Sequence, residues 1–145
     1  MSMLKLVYAS AAAREFKPAE LHELLTLARQ RNAAINVTGL LLYHRQSFFQ
    51  ILEGAANDVM AVYARIERDQ RHHRVLLLSR SETDTRNFGA WRMGFVDADR
   101  NVEKLPGFLK FLKAKSTFLD LQGDSKAVAQ LIDGFLDGRW RRSIN

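Results

Sequence analysis

Gln50 has the most to explain. It lies between Phe48 and Leu52 in the run SFFQILEG, on one face of a segment that reads as a central strand. A primary amide carries both a donor and an acceptor end. A buried one must therefore find partners in backbone, water or another side chain, at about 1–3 kcal/mol for each group left unmet. Tyr8 raises the same question on the first strand, where its face otherwise carries Leu4 and Leu6. Asn32 ends the first helix, where a terminal polar residue is ordinary. Arg31 and Arg65 fall on helices, where solvation is the ordinary explanation. Trp91 and Met93 alternate on a late strand-like segment and read first as packing. Taken one at a time, none of these residues decides a chemistry.

The remaining chemistry-bearing types exclude more than they suggest. His72 and His73 are adjacent, and neighbours on a strand point to opposite faces, which argues against one shared metal ion. His22 and His44 add no ligand spacing. The chain has no cysteine, so disulfides, thiolate metal sites and cysteine nucleophiles are absent from its chemistry. It has no His-Glu-x-x-His, no Gly-x-Ser-x-Gly and no phosphate-binding glycine loop, and no Gly-x-Gly-x-x-Gly of a Rossmann-type site.

The elements that must position these residues follow from periodicity. Residues 3–9 alternate as a first strand. Pro18 opens a helix with Glu20 and Glu23 in its early turns and Leu21, Leu24, Leu25 and Ala28 on one stripe, running to about Asn32. Val37–His44 and Ser47–Gly54 form a hairpin around Arg45-Gln46, which is not a preferred turn pair. Asn57 is the expected cap of a second helix with Val59, Val62, Tyr63 and Ile66 inward, ending near Asp69. Val75–Leu78 reads as a buried fourth strand, and Trp91, Met93 and Phe95 as a fifth. Two helices follow, with apolar stripes at Leu105–Leu112 and Val128–Leu136. The order is β-α-β-β-α-β-β, an α+β fold that is ferredoxin-like with an added strand. Phe48 and Leu52 face one way while Phe49 and Ile51 face the other, so the sheet needs cover on both sides. The first two helices cover one face, and the C-terminal pair is expected on the opposite one.

Length and composition fit one globular domain: 145 residues, 47% apolar and 26% charged. The formal net charge of +6 invites a nucleic-acid reading. The basic residues are scattered, however, and only Arg139–Arg142 is dense, which fits a solvated end. No apolar run reaches membrane-spanning length and no secretory signal opens the chain, so a cytoplasmic protein is expected.

Together the segments LVYAS with Tyr8, RNAAINVTGLLLY with Asn32, FFQILEG with Gln50, RIERDQRHHR and WRM resemble the BLUF family of blue-light sensors that use flavin, over about residues 3–97. The two C-terminal helices resemble the short, stand-alone members. The resemblance implies a flavin-binding core at 1–97 and a helical cap at 98–145 of one domain. It implies a photoreceptor and not an enzyme, with a non-covalent flavin, FAD placed ahead of FMN. The absence of cysteine also excludes the adduct chemistry of another class of flavin photoreceptor.

Residue by residue, the resemblance implies that Tyr8 bonds Gln50 and donates an electron and a proton under light. Gln50 bridges Tyr8 and the flavin ring, Asn32 fixes the ring's polar edge, and Arg31 and Arg65 touch its pyrimidine side and its ribityl or phosphate end. Trp91 and Met93 relay the change. Asp69 and His72 match the family segment without an assigned contact. A separate downstream signalling protein, such as a phosphodiesterase or regulator, is the expected partner, and a homo-oligomer the expected state. Two other classes compete: a ferredoxin-like module stacking single-stranded RNA on Phe48 and Phe49, and a small hydrolase holding phosphate through Arg and Asn. The first lacks the basic-Gly-aromatic pattern, and the second lacks a glycine-rich first loop.

Overall fold

A computed structural model describes residues 3–86 and 94–97, together with Gln130, Gly134 and Phe135. The alternating start of the chain forms β1 (Met3–Ala12). Pro18 then occupies the first turn of α1 (Pro18–Ala34), and the Glu20 carboxylate reaches back to the Lys17 backbone N–H at 3.0 Å. Asn36, at φ 54°, ends the helix in the left-handed conformation. The Val37 and Ile35 N–H groups both donate to the Asn32 carbonyl, at 2.9 and 3.3 Å.

The hairpin forms as β2 (Thr38–His44) and β3 (Ser47–Gly54). Arg45 and Gln46 both take positive φ, 48° and 59°. The two-residue turn imposes that backbone despite the lack of Gly or Asn. Gly39 sits where the strands touch: a Cβ there would lie 1.9 Å from the Ile51 carbonyl oxygen.

Two expectations change. The second helix, α2 (Ala56–Arg68), is capped by Ala55 and not by Asn57. Ala55 is extended, and its carbonyl already accepts the Val59 N–H at 3.0 Å, so the helix begins two residues after β3 ends. The fourth strand is longer than the apolar run, β4 (His72–Thr83), and it is not buried: Leu77 is 43% exposed. Its only described neighbour is β1, so one long side meets no other described strand. The described part of the fifth strand is β5 (Gly94–Asp97), which runs parallel to β2. Trp91 and Met93 lie outside the described residues, as do both C-terminal helical stripes except Gln130, Gly134 and Phe135.

The sheet order is β4-β1-β3-β2-β5, antiparallel through the first four strands. This is the ferredoxin-like α+β arrangement with an added strand. The period-two pattern decides the faces. Leu4, Leu6, Tyr8, Leu41, Tyr43, Phe48 and Leu52 join Leu21, Leu25, Val59 and Tyr63 of the two helices in one core. On the other face Val7, Ala9, Leu40, Leu42, Phe49 and Ile51 are also buried. There the ring of Phe135 packs against Phe49 with centroids 5.3 Å apart.

Candidate functional site

The helix stripes are not fully spent on the core. Leu21, Leu25, Val59 and Tyr63 are buried, but Leu24, Ala28, Val62 and Ile66 are only partly covered and Leu27 is 38% exposed. These half-covered residues face one another across a cleft between α1 and α2. Its floor is the sheet, with Leu41 and Gln50. Its rim is polar: Arg31, Asn32, Arg65, Asp69, Arg71 and His72. Apolar walls with a few convergent polar groups are the usual make-up of a small-molecule site.

Tyr8 and Gln50 lie directly opposite each other on β1 and β3. The Tyr8 hydroxyl donates to Gln50 Oε1. The β1–β4 register shifts between Val7 and Tyr8, a bulge of the kind that re-aims a side chain. Tyr8 is fully buried, with Tyr63 edge-on at 5.6 Å. Burial, then the neighbouring Tyr63 and Asp69, push its phenol well above the usual tyrosine range, so it stays protonated. Gln50 is 6% exposed and reaches the cleft. The pair therefore joins a redox-capable phenol, wholly inside the core, to an amide at the cleft floor.

Of the expected site residues, the fold brings Arg31, Asn32, Gln50 and Arg65 to this one cleft and sets Tyr8 behind Gln50. Asn32 is buried, while Arg31 and Arg65 are exposed at the mouth. Trp91 and Met93 lie outside the described residues.

Sequence reasoning left Arg71 unnamed and gave Asp69 and His72 no role, yet all three line the cleft. Arg71 Nε donates to both Asp69 carboxylate oxygens at 3.0 Å and Nη2 to one at 2.6 Å. That bonding holds the Asp69 carboxyl below the usual range. His72 Nδ1 lies 2.7 Å from Ser10 Oγ, and its ring packs 4.9 Å from Phe48. Burial lowers its pKa to about 4, so it is neutral at pH 7. The RIERDQRHHR run carried this signal. The Asp69–Arg71 bonding is local to the run, but the bond of His72 to Ser10 depends on β4 pairing with β1, which no spacing within the run specifies.

The aromatic pair offered for RNA stacking is unavailable. Phe48 and Phe49 are fully buried on opposite faces, so neither presents a ring to a base. Among the described residues no cluster of histidine and carboxylate groups could hold a metal ion, and no helix is long and apolar enough to cross a membrane.

The cleft's donor set suits a planar heteroaromatic ring with a polar edge. Leucine, valine and isoleucine line its walls, the amides of Asn32 and Gln50 carry donors and acceptors, and Arg31 and Arg65 add positive charge at its mouth.

Comparison with known proteins agrees with this chemistry. The profile of a family described as sensors of blue light using FAD matches residues 3–94. Over 110 residues the chain is 36% identical to the photoactivated adenylate cyclase subunit alpha of Euglena gracilis, covering 74% of this chain and 11% of that protein. It is 33% identical over 92 residues to the blue light- and temperature-regulated antirepressor BluF of Escherichia coli (strain K12), covering 63% of this chain and 23% of the other. The chain thus spans a quarter or less of these curated relatives. The solved structure of the photo-activated state of BlsA superposes with a TM-score of 0.65 at 28% identity, covering 88% of this chain and 91% of that one. BlrP1 from Klebsiella pneumoniae, at 23% identity and a TM-score of 0.77, shares the fold.

Proposed function

The chain belongs to the BLUF family, the sensors of blue light using FAD, and from that premise we propose that it is a photoreceptor switched by hydrogen-bond rearrangement between Tyr8 and Gln50. The observation that carries the reading is the Tyr8 hydroxyl bonded to Gln50 Oε1, with Gln50 opening onto the cleft.

Flavin is held non-covalently, with the ring between the apolar walls of α1 and α2. Asn32 anchors its polar edge, and Arg31 and Arg65 engage its pyrimidine side and its ribityl or phosphate end. FAD is the proposed form, in line with the family's description. When bound, the flavin supplies absorption of blue light and a strong one-electron oxidant.

The chain's own residues do the rest. Tyr8 would give an electron to the flavin excited in the cleft and its phenolic proton by way of Gln50 Oε1, the acceptor already bonded to it, and would take both back as the switch sets, so that no net oxidation remains. The raised pKa of Tyr8 keeps that proton in place until the flavin is excited. The Gln50 amide, having donor and acceptor ends, exchanges them by rotation or tautomerisation without net change of charge. A hydrogen bond from the rearranged amide to the ring edge would shift the absorption of a bound flavin to the red. Trp91 and Met93 relay this change through the fifth strand to a cap at residues 98–145 on the opposite face. Phe135 packed against Phe49 supports that placement.

The output is a separate signalling protein of the phosphodiesterase or regulator kind, met by a cytoplasmic homo-oligomer of this chain. The deciding experiment is an absorption spectrum of the purified protein in the dark and under blue light. The reading expects flavin bands that move slightly red and recover in the dark. A protein that cannot be loaded with flavin, or one whose flavin only bleaches, refutes it.

A further inference from the structure

Tyr8 is held at two points, and the switch chemistry uses one of them. Its hydroxyl is fixed by Gln50 Oε1. Its ring meets Tyr63 of α2, with centroids 5.6 Å apart and planes at 66°, the edge-to-face arrangement that aromatic quadrupoles favour. Tyr63 is 8% exposed and belongs to the same core as Tyr8. The other aromatic contacts on this face join Phe16, Tyr43, Phe48 and His72 into a separate group. Among the described residues, Tyr63 is thus the aromatic neighbour of Tyr8.

The two restraints govern different motions. A hydrogen bond at the hydroxyl fixes the far end of the ring but leaves its tilt about the Cβ–Oη axis to packing, because χ2 of tyrosine is a broad torsion. The phenolic O–H lies in the plane of its ring. Tilting the ring therefore swings the O–H off the line to its acceptor, and a hydrogen bond weakens steeply as that angle closes. The neighbour that sets the tilt sets how squarely the proton is offered to Gln50.

The helix that carries Tyr63 is also a wall of the cleft. Val62, Arg65 and Ile66 line the cleft, while Tyr63 is buried in the core with Val59, one turn earlier on α2. One helix therefore bears both the cleft wall and the ring that packs against the donor.

We infer that Tyr63 is a positioning residue for light-driven donation by Tyr8: its ring contact fixes the tilt of the donor's ring and ties that tilt to the α2 wall of the cleft. The inference rests on the photoreceptor reading above. The electron and the proton still leave Tyr8 for the excited flavin and return as the switch sets, and Tyr63 is neither oxidised nor deprotonated.

The test uses full-length protein loaded with flavin to equal occupancy. It compares wild type with Tyr63→Phe, Tyr63→Leu and Tyr63→Met, and places the Leu and Met changes in a Tyr8→Phe background as well. Two quantities are read: the fluorescence lifetime of the bound flavin, which donation shortens, and the quantum yield of the red-shifted state. Tyr63→Phe keeps the ring and is expected to match wild type in both. Tyr63→Leu and Tyr63→Met remove it, so the lifetime lengthens and the yield falls by about three-fold or more. A role in packing alone lowers stability and flavin retention but leaves the lifetime at fixed occupancy unmoved. In the Tyr8→Phe background neither change alters the lifetime further. If Tyr63→Leu does not fold, Tyr63→Met carries the comparison. Wild-type lifetime and yield in a folded Leu or Met variant, an equal loss in Tyr63→Phe, or an undiminished effect without the Tyr8 hydroxyl overturns the inference and leaves the photoreceptor reading intact. A wild-type protein with no red shift removes both.

Discussion

Tyr8 and Gln50 stand at directly opposed positions of neighbouring antiparallel strands, and the Tyr8 hydroxyl donates to Gln50 Oε1. Each side chain thereby removes the other's cost of burial, and only Gln50 meets the cleft. The first two predictions come from this bond.

Tyr8→Phe keeps the ring's packing against Tyr63 and removes the hydroxyl alone. Gln50 Oε1 loses a donor, at about 1–2 kcal/mol of stability. Bound flavin is expected to stay, while the light-induced red shift and its dark recovery are lost. Absorption spectra before and after blue light check this, and an unaltered photocycle takes Tyr8 out of the mechanism.

Gln50→Leu fills the same volume with an apolar side chain and leaves the Tyr8 hydroxyl, fully buried, without this acceptor. A loss of about 1–3 kcal/mol in unfolding free energy is expected, together with an absent red shift. Urea unfolding gives the first and difference spectroscopy the second. A normal red shift in this variant contradicts the amide switch.

Asn32→Ala removes a buried amide at the rim, while its backbone carbonyl still closes α1 through Ile35 and Val37. The helix is therefore expected to survive, with flavin affinity falling about ten-fold. Flavin retained after equilibrium dialysis measures this. Unchanged retention assigns Asn32 a structural role only.

His72 gives a pH dependence with a definite sign. Its folded pKa is about 4, below the ordinary 6.5, because burial outweighs the favourable field of Asp69, while Arg71 and His73 add to the lowering. Between pH 6.5 and 4 the unfolded chain takes up a proton that the folded chain resists, so stability falls as pH falls across that window, by about 3 kcal/mol at most. His72→Gln, which keeps a partner for Ser10, should flatten the slope between pH 7 and 5. Urea midpoints at the two pH values decide it, and equal slopes in both proteins sink the assignment.

Gly39→Ala tests the hairpin. The added Cβ meets the Ile51 backbone oxygen, which cannot rotate away, so a loss of about 3 kcal/mol or more is expected, read as a lowered melting temperature. Wild-type stability would show that β2 and β3 can part there without cost.

Much of this was legible in the order of residues. Strand alternation, the Pro18 helix start and the hairpin depend on near neighbours, and they formed where the pattern placed them. Tyr8, Asn32 and Gln50 stood out as polar residues on apolar patterns. Asn57 misled because a good capping residue competes with an extended Ala55 whose carbonyl is already in place. Val75–Leu78 misled because an apolar run does not say whether its strand is central or at an edge; pairing with β1 alone left Leu77 exposed.

The sequence by itself determined where the first three strands and the first two helices would lie and which polar groups would need partners, because those follow from side-chain periodicity and hydrogen-bonding capacity. Only the tertiary structure decided who the partners are. Register set Tyr8 against Gln50, brought His72 beside Ser10, and buried Lys5 and Glu53, two residues of ordinarily solvated type, side by side under Arg86. These contacts join positions distant along the chain, and a strand shifted by one residue would send every one of those side chains to the other face.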